Sequence, residues 1–181
     1  MPTTRNDSPR SVTWSPTRLP YWRARSQPRT VTFAPSSAAV SIRPEAGLIH
    51  PAILTEAGLE PAVRSLVDRA AVPTSLDVKV LGRLPAPVEA TAYFVVSEAL
   101  ANVGKHARAS SACVALAVAS DSLLVEIRDD GCGDADPARG TGLRGLRDRV
   151  EAVGGTLEAI SPAGNGTMIR ASLPLTGGPA E

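Results

Sequence analysis

The sequence predicts an α/β protein, a two-layer sandwich of helices on a mixed sheet, carried behind a disordered N-terminal arm. Three observations predict it. Residues 88–103 repeat their apolar side chains with the period of a helix, residues 122–130 alternate them with the period of a strand, and residues 1–43 do neither.

The arm is foreign to the rest in composition. Of 19 basic and 18 acidic residues, seven arginines and the single acid Asp7 fall in residues 1–43, giving +6 there and −5 across residues 44–181. Pro2, Pro9, Pro16, Pro20, Pro28 and Pro35 interrupt it, and both tryptophans, Trp14 and Trp22, lie in it. Such a segment buries too little apolar surface to fold alone. Arginine interleaved with aromatics could contact nucleic acid or an anionic membrane surface. A solvated tail is the simpler reading, and no specific nucleic-acid binding is expected. No apolar stretch approaches the ~20 residues that span a bilayer, and no signal peptide is visible, so a cytoplasmic location is expected. Cys113 and Cys132 have neither metal-ligand spacing nor a disulfide framework, which suits reduced thiols in that compartment.

Past a connecting segment at 44–58, one folded unit is expected over 59–176, with a disordered tail at 177–181. It opens with a helix from Pro61 to Ala70 and a strand from Leu76 to Leu81. A long helix then runs from Pro87 to His106, its stripe formed by Val88, Ala92, Val95, Val96, Ala99 and Val103. One strand surrounds Cys113. Another runs from Ser122 to Asp130, with Leu123, Val125 and Ile127 facing the core. A short lid, 133–140, leads to a helix held by Leu143, Leu146, Val150 and Val153 and ended by Gly154-Gly155. A final hairpin turns at 162–166, and in its last strand Thr167 shares a face with Ile169, Ala171 and Leu173.

Three strings carry chemistry. At roughly 100° per residue, Glu98, Asn102 and Lys105 fall in a narrow sector beside the apolar stripe of the long helix. A carboxylate, an amide and an ammonium there can polarise a water or hydroxyl, hold a hydrated Mg²⁺ through the amide oxygen, and neutralise phosphate. Alone, Glu-x-x-x-Asn is also what any solvated helix flank offers. The second string, Asp129-Asp130-Gly131-Cys132-Gly133, changes that balance. Asp129 continues the inward odd series of its strand, a costly place for a charge unless a donor meets it, and the exocyclic amine of adenine is such a donor. Gly131 and Gly133 let the backbone turn sharply and approach a flat ligand. The third string, Gly140-Thr141-Gly142-Leu143, opens a helix whose free N–H groups and dipole suit phosphates, although by itself it is equally an ordinary flexible turn. In this order, on these elements, the three read as an ATP site.

Glu98 to Asn102, Asp129 to Gly133 and Gly140 to Leu143 resemble the N, G1 and G2 boxes of the GHKL ATPase superfamily, whose fold is the Bergerat ATP-binding fold. Its members include sensor histidine kinases, type II topoisomerases, mismatch-repair ATPases and heat-shock chaperones. The stretch from Gly142 to Thr156 and the ending Gly-Asn-Gly-Thr-Met-Ile-Arg-Ala-Ser-Leu-Pro-Leu resemble the catalytic domain of nitrate-sensor-type histidine kinases, a likeness that runs from about Ala46 to Leu175. The resemblance implies that Asn102 ligates Mg²⁺, that Asp129 binds the adenine amine, and that the lid glycines with Thr141 and Leu143 approach the phosphates. It implies Glu98 as general base, by analogy with the superfamily's ATPases, and Thr167 at the adenine edge. Lys105 and His106 end the box helix, where Lys105 can neutralise phosphate and His106 either caps the helix C-terminus or approaches phosphate.

Departures from the pattern are few. Gly104 costs a helix interior about 1 kcal/mol relative to alanine and is read as a fraying helix end. Cys132 is read as a small apolar filler between the two lid-entry glycines. Kinases of this class carry a helical hairpin whose acceptor histidine is followed by an acid. Here the two histidines are His50, followed by Pro51 in a stretch resembling the family's junction, and His106. The resemblance therefore implies a histidine-kinase catalytic domain without its own phosphoacceptor. Its partner would be a histidine-bearing hairpin or a response-regulator pathway protein in trans. The alternatives are a non-catalytic ATP-binding module or truncated remnant, and a serine kinase that inhibits a sigma factor. The 142–155 helix and the Leu-Pro-Leu ending tell against the last.

Overall fold

The computed structural model describes residues 52–80, 82–135 and 141–176. The arm, the first part of the junction with His50, Leu81, most of the lid with Gly140, and the tail lie outside the described residues. Helix α1, Ala52–Ala57, and helix α2, Leu59–Val67, meet at Gly58, whose φ of 88° breaks the helical path. Strand β1, Thr74–Lys79, leads to the long helix α3, Ala86–Asn102. Strands β2, Ala112–Ala119, and β3, Ser122–Asp129, form a hairpin. Helix α4, Thr141–Glu151, precedes a second hairpin of β4, Thr156–Ile160, and β5, Met168–Pro174.

The sheet order is β1-β2-β3-β5-β4, with β1 parallel to β2 and every other pair antiparallel. Strand periodicity sets which face is covered. Leu123, Val125 and Ile127 of β3 pair with Leu173, Ala171 and Ile169 of β5, and all six are buried. Across them lies α3, which packs on β3 and β5 and is flanked by α2 and α4. Its predicted stripe of Val88, Ala92, Val95, Val96, Ala99 and Val103 is buried throughout. Pro87 costs α3 nothing, because a first-turn residue has no intrahelical acceptor for its N–H. No described helix is long and apolar enough to cross a membrane.

Several boundaries differ from expectation, each for a local reason. β1 begins at Thr74 and ends at Lys79, two residues earlier than predicted, because its pairing register with β2 starts at Thr74 opposite Ala112. The second helix spans Leu59–Val67 instead of 61–70. Gly58 starts it, and its end tightens into turn bonds from Arg69 to Leu66 and from Ala70 to Val67. The box helix is α-helical only to Asn102 and continues as a π-helical turn, Val103–Ala107. Gly104 therefore does not mark a fraying end. Val103 and Ala107 on either side are buried, and a Cβ at 104 would stand 2.9 Å from that of Ala71. The glycine is the point where the turn after α2 crosses the end of the box helix.

Candidate nucleotide site

A cavity of about 560 Å³ opens between α3 and the end of the sheet. Nine of the residues singled out by sequence line it: Glu98, Asn102, Lys105, His106, Asp129, Gly133, Gly142, Leu143 and Thr167. The three strings therefore meet, and with Thr167 the lining residues lie up to 69 residues apart in the chain, from Glu98 to Thr167. Gly131 does not line the cavity. It is buried behind it, where a Cβ would run into the Ala107 carbonyl. Thr141 begins α4, and Gly140 lies outside the described residues.

The floor is built by backbone. Asp129 is 7% exposed, and its Oδ1 accepts hydrogen bonds from the amides of Gly131, at 2.8 Å, and Thr167, at 3.3 Å. Its Oδ2 accepts none from the described residues, so among them this buried carboxylate is only half-satisfied. The backbones of 129 and 167 are tied by the bond from Asp129 N to Thr167 O, those of 131 and 166 by Gly166 N to Gly131 O, and those of 132 and 107 by Cys132 N to Ala107 O. Gly133 turns away from this stack with φ 63°. The side chain of Thr167 is fixed by a 2.9 Å hydrogen bond with Ser161, whose Oγ also accepts from the Ala135 amide.

The opposite wall carries the polar groups of the box helix. Glu98 is half-buried, and a Cβ on Gly142 would collide with its Oε1, so the first turn of α4 sits directly against this carboxylate. Among the described residues, Glu98, Asn102, Lys105 and His106 make no hydrogen bond or ion pair through their side chains. The apolar walls are Ala99, Val103, Ala107, Ile127 and Ile169, which offer flat contact to a planar ring. Sequence reasoning had placed Ile127 and Ile169 only in the core. Their position one strand repeat before Asp129 and after Thr167 was the available signal. Ser161 had none, because its role depends on how the second hairpin folds back. Asp134 and Ala135 complete the lining at the start of the lid.

A Bergerat-type ATP-binding domain is the class that this fold and site define. Residues 88–177 match the family model of histidine kinase-, DNA gyrase B- and HSP90-like ATPases. The chain thus carries an ATPase domain of that family, which implies ATP binding. Among its relatives are the nitrate/nitrite sensor protein NarQ of Escherichia coli, 35% identical over 66% of this chain, and the sensor histidine kinase NarS of Mycobacterium tuberculosis, 33% identical over 77%. This chain spans only 23% and 35% of their respective lengths. A solved structure of the histidine kinase domain from an Erythrobacter litoralis blue-light activated histidine kinase superposes with a TM-score of 0.51 and 28% identity, over 64% of this chain and 57% of that one.

Proposed function

We propose that this chain binds Mg-ATP and acts as the catalytic domain of a two-component histidine kinase, transferring the γ-phosphoryl to a histidine on another polypeptide. The observation that carries the reading is the pairing, in one cavity, of a buried Asp129 with Glu98, Asn102 and Lys105, whose side chains have no partner among the described residues. Asp129 Oδ2 would accept the adenine amine, with Thr167 beside it at the ring edge and Ile127 and Ile169 against the faces. Lys105, His106 and the 140–143 turn would receive the phosphates. Asn102 fits Mg²⁺, because its amide lines the cavity with Glu98 and takes no partner there among the described residues. Bound there, the ion would neutralise phosphate charge. Glu98 would orient and deprotonate the attacking group. The rest of the transfer rests on positioning.

The position of His106 supports transfer to a histidine on another polypeptide. His106 lies on the wall of the phosphate end, whereas in-line attack needs a nitrogen beyond the γ-phosphate at roughly 3 to 3.5 Å. Residues 59–176 form the proposed catalytic unit, residues 44–58 the junction, and a cytoplasmic site suits the reaction. The test is incubation with γ-labelled ATP, with and without separately supplied kinase hairpins. Acid-labile label should reach the hairpin alone, and Asn102→Asp should change the Mg²⁺ dependence of nucleotide affinity. Label on the isolated chain that disappears in His50→Gln would overturn the trans assignment. Nucleotide binding without labelling of any hairpin would favour a non-catalytic module.

A further inference from the structure

Asp130, the acid after the adenine-facing one, does not line the cavity, yet it is the most heavily hydrogen-bonded carboxylate among the described residues. Oδ1 accepts from the amides of Ser110, at 2.7 Å, and Ser111, at 2.9 Å, while Oδ2 accepts from their hydroxyls at 2.6 and 2.9 Å. Its own amide returns a 3.3 Å bond to the Ser111 carbonyl. Ser110 and Ser111 end the loop that leaves the π-helical turn through Arg108, held at φ 51°, and enters β2. Little apolar packing holds that corner. Its buried cluster is Val103, Ala107 and Ala112, with Val72 and Ala109 packed against it, all alanines and valines.

The adenine side needs no such help. Asp129 is fixed within the sheet opposite Ala112 and by its exchange of hydrogen bonds with Thr167. Lys105 and His106, by contrast, are exposed, without side-chain partners among the described residues, and sit on the turn whose exit Asp130 grips. We infer that Asp130 is a positioning residue for the phosphate end of the cavity: by clamping Ser110 and Ser111 it fixes the end of the box helix, and so where Lys105 and His106 stand relative to Asp129. This inference rests on the nucleotide reading above.

Affinities for ATP and for adenosine, measured by competition against a fluorescent nucleotide, separate this role from a general structural one. Hydrogen exchange of residues 103–111 is followed in parallel. Asp130→Ala should weaken ATP about tenfold, as expected when charge-assisted hydrogen bonds are lost, and adenosine by less than about twofold. Exchange at 103–111 should rise. Asp130→Asn, which keeps an acceptor for the two amides, should recover much of the ATP affinity, and Ser110→Ala with Ser111→Ala should fall between. Equal loss of ATP and adenosine affinity, or unchanged exchange at 103–111, would overturn the inference. If the wild-type chain bound neither ligand, the nucleotide reading itself would fail, and exchange at 103–111 in Asp130→Ala would still decide whether the clamp exists.

Discussion

Two glutamates on α3, nine residues apart, meet opposite fates. Glu89 is 2% exposed and fully partnered: Arg83 donates to both its oxygens at 3.1 and 3.0 Å, and the Leu84 amide adds a third bond at 3.0 Å. The same arginine reaches the Thr55 carbonyl of α1, so this carboxylate ties the first helix to the core. Glu98 faces the cavity with no such partners. A buried charge that the protein satisfies belongs to the scaffold. One left without partners among the described residues on a cavity wall is poised for a ligand.

Exchanging each acid for its amide tests that contrast. Glu98→Gln should leave stability within about 0.5 kcal/mol, since no partner among the described residues is lost, while transfer to a supplied hairpin falls by roughly 10² to 10⁴. Urea unfolding and label transfer read the two effects. A substantial loss of stability in this variant would move Glu98 into the scaffold class. Next in size, Asp129→Asn keeps the internal acceptor for Gly131 and Thr167 but removes the charged acceptor for adenine. Nucleotide affinity should drop by roughly 1.5 to 3 kcal/mol, and undiminished affinity by calorimetry would sink the adenine assignment. Glu89→Gln should do the reverse of Glu98→Gln. It should cost about 1 to 3 kcal/mol of folding stability because Arg83 and Leu84 lose a charged acceptor, with nucleotide affinity nearly unchanged.

The strand carrying Asp129 was legible because period-two alternation survives to its last residue, so the inward aim of the carboxylate could be read directly. The box helix was legible from Val88 to Val103 for the same kind of reason. What escaped was set by contacts distant in sequence. The π-helical turn and the role of Gly104 come from the chain after α2 crossing at Ala71, which no local pattern announces. Helix α1 escaped because six residues of Ala-Ile-Leu-Thr-Glu-Ala bury only Leu54, too few to display a period. Ser161 reaches the site through a hydroxyl bond to Thr167 that exists only once β4 and β5 have paired. Glu89 was invisible for a related reason. Its partner Arg83 lies in the loop before the helix, where sequence alone shows a cation but not its direction.

The smallest expected effect extends the comparison to the neighbouring acids, half-satisfied Asp129 and fully satisfied Asp130. Desolvation is the largest single influence and would raise the Asp130 pKa, but the hydrogen bonds from Ser110 and Ser111 together outweigh it and bring it down from 3.8 to about 2. A carboxyl whose folded pKa lies below its unfolded one stabilises the fold above the unfolded value and loses that contribution as pH falls towards the folded one. The window is therefore about pH 4 down to 2. The group lies near the surface, so solvent screening keeps the contribution small. Other carboxylates titrate in the same range, which makes the difference between wild type and Asp130→Asn the useful quantity. In urea unfolding that difference should be constant above about pH 5, shrink as the pH falls through 4, and be nearly gone at 2. A difference that stayed flat across the window would mean that the four hydrogen bonds do not favour the charged carboxylate, and Asp130 would lose its place among the acids that build the scaffold.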